Sequence, residues 1–109
     1  MKFNILDVGG EVVKDDERYV VKDNSMLQNL IISSTDLKPG KSTSGHSHSG
    51  QEEVYNFVSG SGIMKIDDDS FPVKKGDIVL IEDGQFHQVI NNSNSNLYFV
   101  CVFDGSRSH

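Results

Sequence analysis

Short runs of β-forming residues, each closed by turn-forming residues, are the feature of this sequence that most restricts its fold. From residue 53 onward, six such runs follow one another at intervals of roughly 8 to 12 residues. The runs are Glu53–Val58, Ile63–Ile66, Phe71–Val73, Ile78–Ile81, Phe86–Ile90 and Leu97–Phe103. No stretch shows a convincing amphipathic helical pattern, and the apolar run Leu30–Ile32 is too short and too β-branched for one. The pattern predicts an all-β sandwich or barrel.

Two turns are predicted from local charge. The charged segment Lys14–Arg18 lies between Val12–Val13 and Tyr19–Val21, an arrangement that is typical of a β-hairpin. The acidic triplet Asp67–Asp69 separates two of the later runs and predicts a polar hairpin tip.

Length and charge limit the possible partners. The 109 residues correspond to one domain, 1–109. A net charge of −6 argues against nucleic acid or an anionic membrane as a partner. No apolar run is long enough to span a bilayer or to form a signal peptide. Cys101 is the only cysteine, so no intramolecular disulfide can form, and we expect a reducing, cytoplasmic location.

Three histidines and a glutamate have the composition of a metal site. His46 and His48 are two residues apart, so on a strand both side chains point to one face. Glu53 follows at an odd offset, which requires a turn or bulge at Ser49–Gln51. His87 begins a later run after the break at residues 82–84. Imidazole and carboxylate ligands together suit first-row transition metals.

The glycines around these residues make the chain resemble the cupins. The first cupin motif fits residues 40–60 throughout, and the second fits residues 76–91. The matching positions are Gly40, His46, His48, Glu53 and Gly60, and then Gly76, Gly84, His87 and Asn91. Glu82 stands where the second motif has proline. The fifteen residues of Ser61–Lys75 match the shortest spacing between the two motifs in that family.

The resemblance implies a jelly-roll barrel, a double-stranded β-helix, with a metal ion inside it. It implies that His46, His48, Glu53 and His87 ligate one divalent transition metal. The ligand set leaves Zn, Mn, Fe, Ni and Cu open as the identity of that ion.

Alternation along the strand that carries Glu53 predicts which neighbours face the site. Tyr55 and Phe57 share the face of Glu53, and we expect Phe57, like Val89 beside His87, to pack in the core. Glu53 and Tyr55 are the candidate catalytic residues, the latter through its hydroxyl. Further candidates for contacts with the ligands or a substrate lie beside them in sequence; these are Gln51, Glu52 and Gln85.

The predicted function is that of an enzyme acting on a small oxygenated metabolite. The stretch Gln51–Tyr55 resembles the first motif of cupin sugar isomerases, and this favours a sugar or sugar phosphate isomerase. Two alternatives remain open. One is a metal-dependent dioxygenase or decarboxylase, and the other is a non-catalytic module that binds a small molecule.

The last apolar run predicts an assembly. Leu97–Phe103 is apolar at every position, whereas a strand with one wet face should alternate. One face can fill the barrel, and the other needs a cover, either from residues 1–37 or from a second copy. We predict a homodimer that buries Tyr98, Val100 or Val102, or the segment that lies on them.

Overall fold

The computed structural model describes residues 1–47 and 49–105, and within them it is all-β. A six-stranded antiparallel sheet has the order β1-β2-β3-β9-β4-β7, and a three-stranded sheet has the order β6-β5-β8. The strands are β1 Glu11–Asp15, β2 Tyr19–Asn24, β3 Leu30–Leu37, β4 Glu53–Ser59, β5 Ser61–Ile66, β6 Asp69–Lys74, β7 Ile78–Ile81, β8 His87–Ile90 and β9 Leu97–Asp104. The predicted all-β jelly roll is confirmed. Among the described residues, no helix has the length and apolar character needed to cross a membrane.

Period-2 alternation explains how the two sheets enclose one core. On β4, Glu53, Tyr55 and Phe57 are buried, while Val54 between them is exposed. The same alternation on β8 and β9 turns Val89 and Phe99 inward. The core cluster contains residues of both sheets, with Phe99 only 1% exposed. The expected core positions of Phe57 and Val89 are confirmed.

The turns follow the predicted hairpins, with a correction to each. β1 and β2 form the predicted antiparallel hairpin, but Lys14 and Asp15 belong to β1, so its turn is confined to residues 16–18. The acidic triplet is not a three-residue tip, because Asp69 already pairs with Ile66 across the β5–β6 hairpin. The turn is therefore confined to Asp67 and Asp68, and Asp67 adopts a φ of 51°. A short polar side chain tolerates this left-handed conformation better than most others.

The N-terminal segment covers part of the outer face of β9. The Tyr98 hydroxyl donates a hydrogen bond of 2.8 Å to the Ile5 carbonyl. Val8 is 2% exposed, and its carbonyl accepts a 2.7 Å hydrogen bond from the Asn24 side chain. Val100, on the outer face of β9, is likewise 2% exposed within one chain. Val100 therefore does not need a second copy to bury it.

Candidate metal centre

His46 and His87 lie side by side because their backbones pair. The His46 N–H donates to the His87 carbonyl at 3.2 Å, and the His87 N–H donates back to the His46 carbonyl at 2.9 Å. This isolated antiparallel bridge joins the loop before β4 to the start of β8. The two imidazole centroids are consequently 4.4 Å apart, with an interplanar angle of 74°. Backbone pairing thus brings together two histidines that are 41 residues apart in sequence.

Glu53 completes a cluster of three possible ligands. It is the first residue of β4, and its Oε1 lies 3.7 Å from His87 Nε2. One ligand atom from each of His46, Glu53 and His87 lies within 4.8 Å of the other two. Glu53 lies an odd number of residues after His48, and a turn at residues 49–50 accounts for this spacing. In that turn Gly50 has a φ of 84°, and its N–H donates to the Asp83 carboxylate. His48, the fourth predicted ligand, lies outside the described residues.

Hydrogen bonds to backbone carbonyls orient both imidazoles. His46 Nδ1 lies 3.3 Å from the Ser44 carbonyl oxygen, and His87 Nδ1 lies 3.1 Å from the Gln85 carbonyl oxygen. Because a carbonyl can only accept, Nδ1 of each ring must carry the proton. In the neutral rings Nε2 is then the lone-pair nitrogen, which is the form that a metal ligand requires.

Burial sets the protonation behaviour of the acidic groups. Desolvation raises the pKa of Glu53 to about 7, although a hydrogen bond with Tyr55 opposes the shift. Burial, together with the neighbouring Cys101 and Glu53, raises the pKa of Tyr55 well above its ordinary value, so its phenol stays protonated and donates. Desolvation also holds the pKa of the Cys101 thiol well above its usual range. A buried carboxylate is costly unless a cation compensates it.

The donor set fits a transition-metal ion. Two imidazole nitrogens and one carboxylate oxygen converge, and two of the three residues are buried. Such nitrogen and oxygen sets suit Zn, Fe, Mn, Ni or Cu and leave coordination positions for water or a ligand. His46 is exposed, so the cluster opens towards solvent on that side. These three residues would hold the ion.

A cavity of about 460 Å³ lies against this cluster inside the six-stranded sheet. Tyr55 lines it and is 7% exposed. Gln51 also lines it, and its amide donates to the Asp104 carbonyl at 3.0 Å. Glu52 and Gln85, which the sequence suggested as contacts, are not among its lining residues. Gln85 acts instead through its backbone carbonyl on His87 and through a side-chain oxygen that accepts from the Glu82 N–H at 2.9 Å.

Glu82, which replaces the motif proline, is exposed and does not line the cavity. Its role is that of a surface turn residue whose backbone N–H bonds to Gln85.

Sequence reasoning missed several residues that line the cavity. Lys14, Tyr19 and Ser44 are among them, and Ser44 lies two residues before His46. Alternation along β2 could have placed Tyr19 on an inward face. Its contact with Ser44 depends on tertiary pairing and leaves no local signal.

Gly45 was also missed. A Cβ atom there would overlap the Phe86 ring, so a larger residue beside His46 would require the Phe86 side chain to shift.

Comparisons with known proteins agree with this architecture. An oxalate-binding protein of Thermotoga maritima is 33% identical over 66 residues, which cover 61% of this chain and 54% of that protein. An uncharacterised double-stranded β-helix protein from Klebsiella pneumoniae superposes with a TM-score of 0.84 at 17% identity, covering 99% and 92% of the two chains. Oxalate decarboxylase of Bacillus subtilis, solved in a study of its Mn(II) centres, gives a TM-score of 0.80 at 18% identity and covers 91% of this chain and 29% of that one.

The matched segment thus spans about half the length of the Thermotoga protein. The two structural matches concern the fold. The model of the cupin domain family matches residues 33–103, which is more than half of the chain, and the protein therefore belongs to the cupin family.

Proposed function

We propose that this protein holds one divalent transition-metal ion between His46, Glu53 and His87 and uses it to bind a small carboxylate that chelates the metal. Oxalate is the leading candidate. The observation that carries the proposal is the convergence of three ligand atoms within 4.8 Å at the wall of a cavity. His48 remains a predicted fourth ligand.

The chain's own residues prepare this site. The carbonyls of Ser44 and Gln85 hold the two imidazoles in one tautomer. The hydrogen bond from the Tyr55 hydroxyl favours the ionised, ligating form of Glu53. A divalent ion bound here supplies Lewis acidity toward two oxygens of a chelating ligand. We assign Tyr55 the role of positioning Glu53, and a direct catalytic role for either residue stays a prediction.

The ligand class is supported by the cavity and by the Thermotoga relative. A volume of about 460 Å³ lies in the range of small-molecule sites. The relative is described as oxalate-binding, and it is 33% identical across the matched region. Oxalate offers two adjacent carboxylate oxygens, which is the arrangement that chelates a single ion.

Metal analysis and calorimetry test the proposal. Protein purified without added metal should contain about one ion per chain. After chelator treatment it should bind oxalate only when a divalent ion is restored. His87→Ala should lose the ion and oxalate binding together, whereas His109→Ala, at the chain terminus, should retain both. Oxalate binding that is equal with and without metal would refute the proposal.

Catalysis is a separate question that product analysis can answer. A decarboxylase of this class would convert oxalate and one proton into formate and carbon dioxide. The isomerase activity predicted from the stretch Gln51–Tyr55 stays a prediction, as do dioxygenase activity and the non-catalytic alternative. Formate production from oxalate and aldose–ketose exchange in a sugar panel, followed by NMR, would separate these possibilities.

We also propose a homodimer, whose interface contains Val102, one of the three residues named in the sequence prediction. The strand registers place Val54 beside both Leu80 and Val102, and Val102 beside Ile32. These four residues form an apolar row across the outer face of the six-stranded sheet, and Leu80 is 68% exposed. Val54 is also exposed, whereas Ile32 and Val102 are half-buried. Apolar surface of this kind is typical of interaction sites.

Light scattering tests the dimer. A mass of about twice 12.1 kDa is expected for the wild type and about 12.1 kDa for Leu80→Lys. Val12→Lys is the control, because Val12 lies on the same face beside the polar Lys22. A monomeric wild type would contradict the proposal. The cytoplasmic location, favoured by the single buried Cys101, also stays a prediction.

A further inference from the structure

A β-bulge in β1 turns Lys14 toward the cavity. Val12 pairs with Lys22 and Lys14 pairs with Val21, so Val13 is the extra residue. In a regular ladder Val13 would stand opposite Val21, and Lys14 would fall on the outer face. Residues paired across strands share a face, and Val21 lines the cavity. The bulge therefore places Lys14 on the cavity side in addition to Val13, and both residues line the cavity.

Tyr19 and Arg18 fix the β1–β2 hairpin over the segment that carries His46. Arg18 donates to Ser44 Oγ at 3.2 Å, and the Tyr19 hydroxyl lies 3.4 Å from the same oxygen. The Ser44 N–H donates to the Tyr19 hydroxyl at 3.4 Å. The Lys14 ammonium lies 5.2 Å from the centroid of the Tyr19 ring, within cation–π distance. Lys14 is thus held on the same cavity as the metal ligands.

The charge of Lys14 is only partly neutralised by protein groups. The nearest carboxylate is Asp16, at 4.0 Å, and this carboxylate is shared with Arg18, which approaches to 3.0 Å. The Arg18 contact holds the pKa of Asp16 at about 2, so Asp16 is ionised and already engaged. The Lys14 ammonium group therefore shares its nearest carboxylate with Arg18 and can pair with a carboxylate of the ligand.

Acidic and basic groups both line the cavity. Lys14 is the cationic side chain among the described lining residues, and Asp23 and Glu53 are the acidic ones. Asp23 accepts a 2.6 Å hydrogen bond from the Ser33 hydroxyl. With a divalent ion bound beside Glu53, the lining carries a net positive charge, which favours an anionic ligand.

We infer that Lys14 is a specificity-determining residue that selects ligands with a second carboxylate, remote from the carboxylate that chelates the metal. The inference rests on the proposed function and deepens it. The ligand class is a small dicarboxylate with a chelating oxygen pair at one end, such as a 2-oxo dicarboxylate. The cavity of about 460 Å³ has room for a molecule longer than oxalate.

A matched pair of ligands tests the inference by calorimetry on metal-loaded protein. 2-Oxoglutarate and 2-oxovalerate have the same chain length and the same chelating end, and only the former has a distal carboxylate. The wild type should bind 2-oxoglutarate about three- to fivefold more tightly, since the Lys14 side chain is 40% exposed and solvent screens its charge. Lys14→Met should abolish this preference and leave 2-oxovalerate binding unchanged. Lys14→Arg should restore most of it.

Lys75→Met is the matched control, because it removes the same charge from an exposed turn outside the cavity. It should keep the wild-type preference for 2-oxoglutarate. If the wild type binds oxalate in a metal-dependent way but does not distinguish the two oxo acids, the Lys14 inference is wrong and the proposed function stands. If the metal-loaded wild type binds none of the three ligands, the proposed function is wrong and the inference falls with it.

Discussion

The buried Glu53 should make the stability of the metal-free protein depend on pH. Its pKa is about 7 in the folded chain, against an ordinary value of 4.5, because burial disfavours the charged carboxylate. Between these two values the folded state binds more protons than the unfolded state, so the free energy of unfolding falls as the pH rises. The contribution of the protonated carboxyl is fully present below pH 4.5 and is lost as the pH passes 7.

The size of the effect follows from the shift. A shift from 4.5 to about 7 corresponds to about 3 kcal/mol. We expect about 2 to 3 kcal/mol, because the carboxylate keeps some contact with solvent. Most of this loss should fall between pH 5 and pH 7.5. It is a large fraction of the stability of a domain of this size.

Urea unfolding of chelator-treated protein at pH 5 and pH 8 measures this quantity. Glu53→Gln is the matched variant, because it keeps the shape of the side chain and removes the titrating group. The wild type should lose about 2 to 3 kcal/mol more than Glu53→Gln between the two pH values. Adding Mn²⁺ should restore the stability of the wild type at pH 8 and have little effect on the variant. The reasoning is refuted if the two proteins show the same pH dependence without metal.

Three further outcomes are expected. His87→Ala should lower metal affinity at least tenfold, measured by equilibrium dialysis. The metal affinity of the wild type should fall from pH 7.5 to pH 5, because ligating imidazoles must be deprotonated. A metal affinity that does not change with pH would exclude histidine ligands. Phe99→Ala should lower the free energy of unfolding by about 3 to 5 kcal/mol, measured in urea, since Phe99 is 1% exposed in the core. A loss below 1 kcal/mol would contradict its central packing. Gly60→Ala should destabilise the fold more than Gly76→Ala. Both glycines have positive φ, but a Cβ at position 60 would lie 2.5 Å from the Asn96 carbonyl oxygen, whereas a Cβ at position 76 would meet open space. Equal losses of thermal stability in the two variants would show that the contact with Asn96 is relieved.

The sequence by itself was enough to predict the strands from residue 53 onward, the β1–β2 hairpin and the metal-binding motif, but it did not predict β3. Strand alternation is a local property, so Glu53, Tyr55 and Phe57 could be assigned to one inward face without any structure. The odd spacing between His48 and Glu53 predicted a turn or bulge at Ser49–Gln51, and the structure has a turn at residues 49–50. These inferences depend on neighbours within a few residues, where sequence and conformation are tightly linked.

The tertiary structure decided which residues surround the site and which cover the outer sheet. Lys14 reaches the cavity only because a bulge shifts its register, and no local pattern distinguishes it from the exposed charges of its hairpin. Val100 is buried on the outer face within one chain, and Tyr98 beside it bonds to Ile5, a residue more than ninety positions away. Such contacts form between segments that are brought together by the sheet order, and the free energy that fixes them depends on the packed neighbours rather than on the residue's own sequence context.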